Sequence, residues 1–287
     1  MSLARNPRRS MWQPHLSRLP SILGGVLLVA FGAATLLPIY LLVAVSLEKS
    51  SGPGSNPFAF PLDPQWGNYV AAFNNMNYVR SLSNTLIITG FTALLTLFTG
   101  SAAAWVLVRS TRKWADTVYK VFVAGLTIPI FVVITPLYQV LQQMGLLDSY
   151  VGIVLAYTAL SLPFAVFFFA GFLRTIPVEL EEAAAVDGSG PFRTYWAIVL
   201  PLLRPANATL IIFVVLQVWN DVVLPLVLLT SNDKQTVTLG VYATIGSHTL
   251  STTQLLPTLV LGVLPLFILF LVLQRYVVAG ITVGAGK

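Results

Sequence analysis

Hydrophobic residues in this chain gather into long blocks, each longer than a globular core helix needs, with polar stretches between them. An α-helix rises 1.5 Å per residue, so about 20 predominantly apolar residues cross a hydrocarbon layer about 30 Å thick. Six blocks reach that length, over 21–47, 84–108, 121–141, 150–172, 205–229 and 255–278. The pattern predicts an all-α membrane protein with six transmembrane helices. A basic leader over 1–20 precedes a single transmembrane domain over 21–287.

The leader, with Arg5, Arg8, Arg9 and Arg18, raises a second reading of the first block as a cleaved signal peptide. Its apolar run exceeds an h-region of about 7 to 15 residues, and no small-x-small site closes it, so it is read as a retained helix. Lys and Arg bias decides which loops stay in the cytoplasm, since centring one such charge in a bilayer costs about 2.5 to 3.5 kcal/mol. With the N-terminus inside, Arg5, Arg8, Arg9, Arg18, Arg109, Arg112, Lys113, Lys120, Arg174, Arg193, Arg204, Arg275 and Lys287 fall on the cytoplasmic side. Only Lys49, Arg80 and Lys234 fall outside. Six crossings then leave both termini cytoplasmic.

Composition excludes several classes. Of the 287 residues 56% are hydrophobic and 9% charged, against about 25% charged in a soluble domain. The chain has no Cys, so it forms no disulfide and no thiolate metal site. His15 and His248 have no neighbouring ligand at metal spacing and are read as solvated loop residues. The net charge of +6 does not point to nucleic acid, because the basic residues flank apolar blocks instead of interleaving with stacking aromatics. The partner they imply is the lipid bilayer.

The polar segments expected outside are 48–83, 142–149 and 230–254. The first carries a Gly-, Pro- and Asn-rich run, Ser51 to Pro57, and then Trp66, Tyr69 and Phe73 at the i, i+3, i+7 spacing of one helical face. A helix along the interface is expected there, either as an aromatic anchor at headgroup level or as a docking surface. In the second block Thr89, Gly90, Thr96, Thr99, Gly100 and Ser101 permit close helix packing. Asp116 has Lys113 and Lys120 at i−3 and i+4, which suits ion pairing on an inner loop.

The inner loop over 174–205 is far longer than a turn. Pro177 suits a first helical turn, and Glu179, Glu181 and Glu182 follow close to the positive helix end. Ala183, Ala184 and Ala185 favour helix and predict a flat surface that another protein approaches closely. Gly188 is placed to leave the helix in a left-handed conformation. Gly190 and Pro191 then restart a helix with an apolar face of Phe192, Tyr195, Trp196 and Val199. Pro201 and Pro205 predict a bend at the start of the fifth span.

Glu182-Ala183-Ala184, Asp187-Gly188, Ile198 and Leu200-Pro201 resemble the EAA motif of ABC importer permeases, with matching spacing throughout. The resemblance implies a type I importer permease fold. The loop would then be the coupling helix docked into a cleft of a nucleotide-binding subunit, with Glu181, Glu182, Ala183, Ala184, Asp187, Gly188, Ile198, Leu200 and Pro201 forming or shaping the interface. The carboxylates also complement the helix dipole, worth about 0.3 to 1 kcal/mol each, and the two roles are compatible. Ser189-Gly190 departs from the commoner pattern, which bears on local helix geometry. Further matches resemble the sugar-uptake subgroup and its MalG-like second permease subunit. They are Asn68-Tyr69 with Asn84-Thr85, Pro136-Leu137-Tyr138, Gly145-Leu146, Trp219-Asn220-Asp221 with Pro225-Leu226, and Gln274-Arg275-Tyr276 to Gly280-Ile281-Thr282.

What this implies is a multi-pass permease of the bacterial inner membrane, without catalytic or metal residues. Its partners would be an ABC ATPase dimer, a second related permease forming a heterodimer, and an extracytoplasmic substrate-binding protein. No G-x-x-x-x-G-K-[ST] loop occurs, so no cofactor is expected on this chain, and ATP and Mg belong to the partner ATPase. Gln139, Gln217, Asn220 and Asp221 are the candidate lining of a substrate path, Asp221 equally as an interfacial cap or salt-bridge partner. The alternatives are a permease for a non-sugar solute or a stand-alone secondary transporter. No inverted repeat and no ionisable pair at mid-membrane favours the latter. An intramembrane enzyme would need a His, Cys or paired-carboxylate constellation in a span.

Overall fold

The computed structural model describes residues 21–49, 58, 60–246 and 252–285, and among them it is helical with no strand. The leader, the Ser51 to Pro57 run, His15, His248 and Lys287 lie outside the described residues. In order come α1 (Ser21–Ser46), α2 (Gly67–Asn75), α3 (Tyr78–Arg109), α4 (Lys113–Gly125), α5 (Ile130–Gln143), α6 (Tyr150–Leu173) and α7 (Glu179–Val186). They are followed by α8 (Pro191–Thr194), α9 (Leu200–Leu202), α10 (Arg204–Asn220), α11 (Val223–Leu228), α12 (Val237–Gly246) and α13 (Thr252–Ala285).

Among the described residues four helical stretches are long and apolar enough to cross a membrane, namely Gly24–Ser46, Tyr78–Arg109, Tyr150–Leu173 and Gln254–Leu271, and the number rises to six if each of two bent pairs is one crossing. The third expected block, 121–141, is not one helix. It is split between α4 and α5, which meet at 108°. Pro129 causes the break: it lacks an N–H and sits extended at ψ 139° as the residue before α5. The chain ahead of it tightens into i→i+3 bonds, Leu126 N to Val123 O and Thr127 N to Ala124 O, 3.1 Å each.

The fifth block also departs from a single helix over 205–229. It ends at Asn220, since Asp221 is extended (φ −80°, ψ 136°), and resumes as α11. The bend expected from Pro201 and Pro205 is present, 77° between Pro191–Leu202 and α10. A π-helical turn over Tyr195–Val199 leads into it. At the second block the helix starts at Tyr78, earlier than hydropathy alone places it, because a left-handed Asn77 (φ 45°) turns the chain sharply out of α2. The polar first turn of α3 is held by side chains: Tyr78 Oη donates to Leu261 O at 2.8 Å.

Helix α6 is the centre of the molecule. It is apolar around its whole circumference: one side is buried, with no exposed surface at Phe169, Ala170 and Leu173, and Val151, Leu155 and Phe167 stand exposed on another. Its principal neighbour is α3, whose small residues allow close approach. A Cβ on Gly100 would stand 2.6 Å from Ala165 Cβ. By contrast α1 keeps most of its apolar side chains exposed, from Val26 to Val43, as a helix bathed in lipid does.

At one end of α3 a polar knot joins distant segments. Asn84 Nδ2 donates to Asp233 O and Gln235 O, both at 2.9 Å, and Asn84 Oδ1 accepts from Tyr150 Oη at 2.8 Å. Thr85 Oγ1 accepts from Val237 N at 2.9 Å. Close by, Asp148 (φ 50°) at the α5–α6 corner receives Thr230 N at 3.0 Å, Ser231 N at 3.1 Å, the Ser231 hydroxyl and Lys234 Nζ. The Ser231 hydroxyl bond foremost, with the other donors, holds the Asp148 carboxyl well below the usual carboxylate range, and the pairing raises the Lys234 ammonium.

The expected aromatic helix after Ser51 to Pro57 is α2, and it is tied to the end of α1. Tyr69 Oη and Ser46 Oγ are 2.6 Å apart, and Asn68 Nδ2 donates to Ser46 O and Glu48 O at 3.1 and 3.0 Å. Phe73 instead packs against Tyr78 with tilted rings, their centroids 5.3 Å apart, while Trp66 is exposed. Asp116 pairs with Lys120 at 2.6 Å on the exposed side of α4.

Candidate functional site

The loop between α6 and α10 has the architecture its sequence predicts: a helix, a sharp corner and a second helical segment. Thr175 N bonds Phe172 O and closes α6. Helix α7 then carries Glu179, Glu181 and Glu182 in its first turn, where carboxylates oppose the partial positive charge of free N–H groups. Gly188, at φ +80°, makes the corner, with Ser189 N bonding Ala184 O and Gly188 N bonding Ala185 O. That conformation costs a residue with a Cβ about 1 to 2 kcal/mol. The space beside Gly188 is open, so only the backbone demands glycine there.

Three alanines do not make one open surface. Ala183 and Ala185 are exposed, but Ala184 is buried against the rest of the chain, because consecutive helical residues point about 100° apart. The exposed residues of the loop include Glu182, Ala183, Val186, Asp187 and Phe192, with Val186 87% and Phe192 78% exposed. Large apolar side chains thus stand uncovered beside carboxylates.

Glu181 occupies a different position from its neighbour. Its Oε2 accepts from Trp105 Nε1 and its Oε1 from Arg109 Nε, each at 2.8 Å, and its side chain is only 11% exposed. Arg109 also donates to Ile176 O at 3.0 Å. Of the residues expected to form or shape the interface, Glu181 and Ala184 are turned inward, one by an ion pair and one by packing. Nothing in the sequence distinguishes Glu181 from Glu182 except helical phase, and Arg109 reads there only as a topological charge.

Past the corner, Ile198, Leu200 and Pro201 are half-buried, and Val199 and Leu203 are fully enclosed. Tyr195 Oη lies 2.7 Å from Ser101 Oγ, so this segment too is fixed to α3. The motif's second half is thus the foot of the loop, and its first half is the exposed tip.

The candidate path residues are spread over α5 and the end of α10. Gln139 is exposed on α5. Gln217 Oε1 is 3.5 Å from Ser161 Oγ, and Asn220 Nδ2 bonds back to Leu216 O at 2.9 Å. Asp221 accepts from Tyr157 Oη at 2.8 Å, Val223 N at 2.9 Å and Leu224 N at 3.3 Å, so both of its oxygens are engaged in capping α11. Among the described residues no cluster of His, Cys, Asp and Glu has the makings of a metal site.

Comparison with known proteins bears on all of this. Residues 93–283 match the family described as binding-protein-dependent transport system inner membrane component. The chain is 34% identical over 255 residues to the melibiose/raffinose/stachyose import permease protein MelC of Bacillus subtilis (strain 168), covering 88% of this chain and 92% of MelC. It is 32% identical over 260 residues to the diacetylchitobiose uptake system permease protein NgcG of Streptomyces coelicolor, covering 90% of this chain and 86% of NgcG. In structure it is similar to a chain in the crystal structure of a bacterial ABC transporter involved in the import of the acidic polysaccharide alginate. The TM-score is 0.75 at 22% identity, across 94% of this chain and 99% of that one, which identifies the all-helical fold.

Proposed function

Because the chain belongs to the binding-protein-dependent transport system inner membrane component family, we propose that it is a sugar permease subunit of an ABC importer in which α7 is the element that docks on a separate ATPase. Substrates of the oligosaccharide class are favoured by relatives named for melibiose, raffinose, stachyose and diacetylchitobiose. ATP and Mg belong to the ATPase, in keeping with the lack of a phosphate-binding loop in this sequence. An extracytoplasmic binding protein delivers the sugar, and a second permease completes the conduit as a heterodimer.

In this reading the single transmembrane domain crosses the bilayer six times, each bent pair counting once, with both termini cytoplasmic. Support comes from charge: Arg109, Arg112, Lys113 and Arg174 share the end of the molecule that carries α7, and Arg80 and Lys234 share the other. The observation that carries the proposal is the exposed patch of Glu182, Ala183, Val186, Asp187 and Phe192 at the tip of a loop whose foot is fixed to the spans. Such a tip receives force from another protein without unfolding. Gln139, Gln217 and Asn220 expose amide groups suited to sugar hydroxyls and are the proposed contacts on the path; Asp221 shapes the break beside them.

The test is uptake of a labelled oligosaccharide by vesicles containing both permeases, the ATPase and the binding protein. Glu182→Lys is expected to insert normally and lose ATP-dependent uptake, and Ala183→Cys to cross-link to the ATPase. Full uptake by Glu182→Lys, or uptake by this chain alone in liposomes, would overturn the proposal.

A further inference from the structure

Resting on the docking role just proposed for α7, we infer that α3 is the span that receives the movement of the loop, through a stripe of Phe98, Ser101, Trp105 and Arg109 that acts as its positioning residues. Their spacing of three, four and four residues puts them on one helical face. Together they touch both helical segments of the loop. Arg109 and Trp105 hold the Glu181 carboxylate at 2.8 Å each, and Arg109 holds Ile176 O at 3.0 Å. Ser101 meets the Tyr195 hydroxyl at 2.7 Å, and Phe98 O accepts from the same hydroxyl at 3.3 Å. Aromatic contacts close the gaps, Trp105 on Tyr195 at 5.6 Å and Phe98 on Trp196 at 5.2 Å between centroids.

The physical case is one of stiffness. A loop joined to the spans only by its two covalent ends would swing about Thr175 and Leu203 when pushed. Glu181 removes that freedom at the first helix and Tyr195 removes it at the second, and both attach to the same partner. The Glu181 bonds are charge-assisted, two-pronged and largely shielded from water, the geometry in which such bonds are strongest and most directional. Beyond the stripe, Gly100 lies against Ala165 with no room for a methyl group, so displacement of α3 passes directly to α6. The docking patch and the anchoring stripe are distinct sets of residues. Loss of one leaves the other in place.

The experiment uses the complete transporter in proteoliposomes and reads three quantities: binding-protein-stimulated ATP hydrolysis, oligosaccharide uptake, and cross-linking of Ala183→Cys to the ATPase. The variants are Glu181→Gln, Arg109→Gln and the milder Trp105→Phe and Ser101→Ala. The expected result is retained cross-linking and hydrolysis with sugar moved per ATP reduced about fivefold or more, and partial recovery in Arg109→Lys, which keeps the charge. An unchanged ratio of uptake to hydrolysis in all four variants would overturn the inference. So would loss of the cross-link together with the ratio, which would make the stripe a support for docking only. Should Arg109→Gln fail to accumulate, Trp105→Phe and Ser101→Ala decide on the same readings. Failure of the docking proposal itself is seen separately, as absence of the Ala183→Cys cross-link in the otherwise unaltered chain.

Discussion

Exchanging Gly100 and Ala165 tests how α3 and α6 meet. A methyl group at residue 100 would fall 2.6 Å from Ala165 Cβ, where carbon atoms prefer about 3.5 to 4.0 Å, so the helices must part by about 1 Å. Overpacking of this kind costs about 1 to 3 kcal/mol. Alanine is also the better helix former by about 1 kcal/mol, so Gly100→Ala alone loses about 0 to 2 kcal/mol and is weakly informative. Ala165→Gly alone loses about 1 kcal/mol of helix propensity. In the double exchange the propensities cancel and the methyl group has a vacant place to fill. The thermodynamic cycle should therefore show a favourable coupling of about 1 to 3 kcal/mol. Thermal unfolding of the purified protein in detergent measures all four corners. Additivity within about 0.5 kcal/mol would refute the close approach of the two helices.

Two further outcomes follow from the polar groups. The hydroxyls of Thr89, Thr92 and Thr96 are buried on α3 without a hydrogen-bond partner among the described residues, and an unsatisfied buried hydroxyl costs about 1 to 3 kcal/mol; Thr92→Val is expected to raise the melting temperature, and a fall would show that a polar group reaches it. Asp148→Asn should lower the melting temperature by the same amount at pH 5 and pH 9. The depressed carboxyl contributes fully above its unfolded-chain value of 3.8 and is lost only as pH falls through the folded one. The raised Lys234 contributes fully below its unfolded-chain value of 10.5 and is lost as pH rises through the folded one. A difference that disappears by pH 6 would refute this.

Long uninterrupted apolar runs were the legible part of the fold. The run starting at Tyr150 became α6 almost to the residue, because it is apolar both on the side packed in the core and on the side left exposed at Val151, Leu155 and Phe167. Breaks inside apolar runs were harder to read, since hydropathy is blind to direction: α4 and α5 are both hydrophobic, and only Pro129 betrays the elbow between them. Asp221 reads as an isolated charge in a span, yet its position before Val223 and Leu224 makes it the cap of a new helix. In the loop, the motif located the exposed tip, whereas the inward turn of Glu181 depends on Trp105 and Arg109, more than seventy residues away in sequence. Several weak local matches, Asn68, Tyr69, Asn84 and Trp219, prove to be side chains that bond to remote backbone or hydroxyl groups. A sequence carries no direct mark of such tertiary bonds.

Helix α3 has 32 residues, about 48 Å at 1.5 Å each, so it overhangs a hydrocarbon layer about 30 Å thick. A tilt of about 10° about its middle sweeps either tip through about 4 Å in opposite senses. With Asn84 and Thr85 knotted to 233–237 and to Tyr150, the far tip cannot swing alone and drags that whole rim sideways. A nudge at Arg109 is thus converted, as by an oar in its rowlock, into a reversed stroke of the opposite shore.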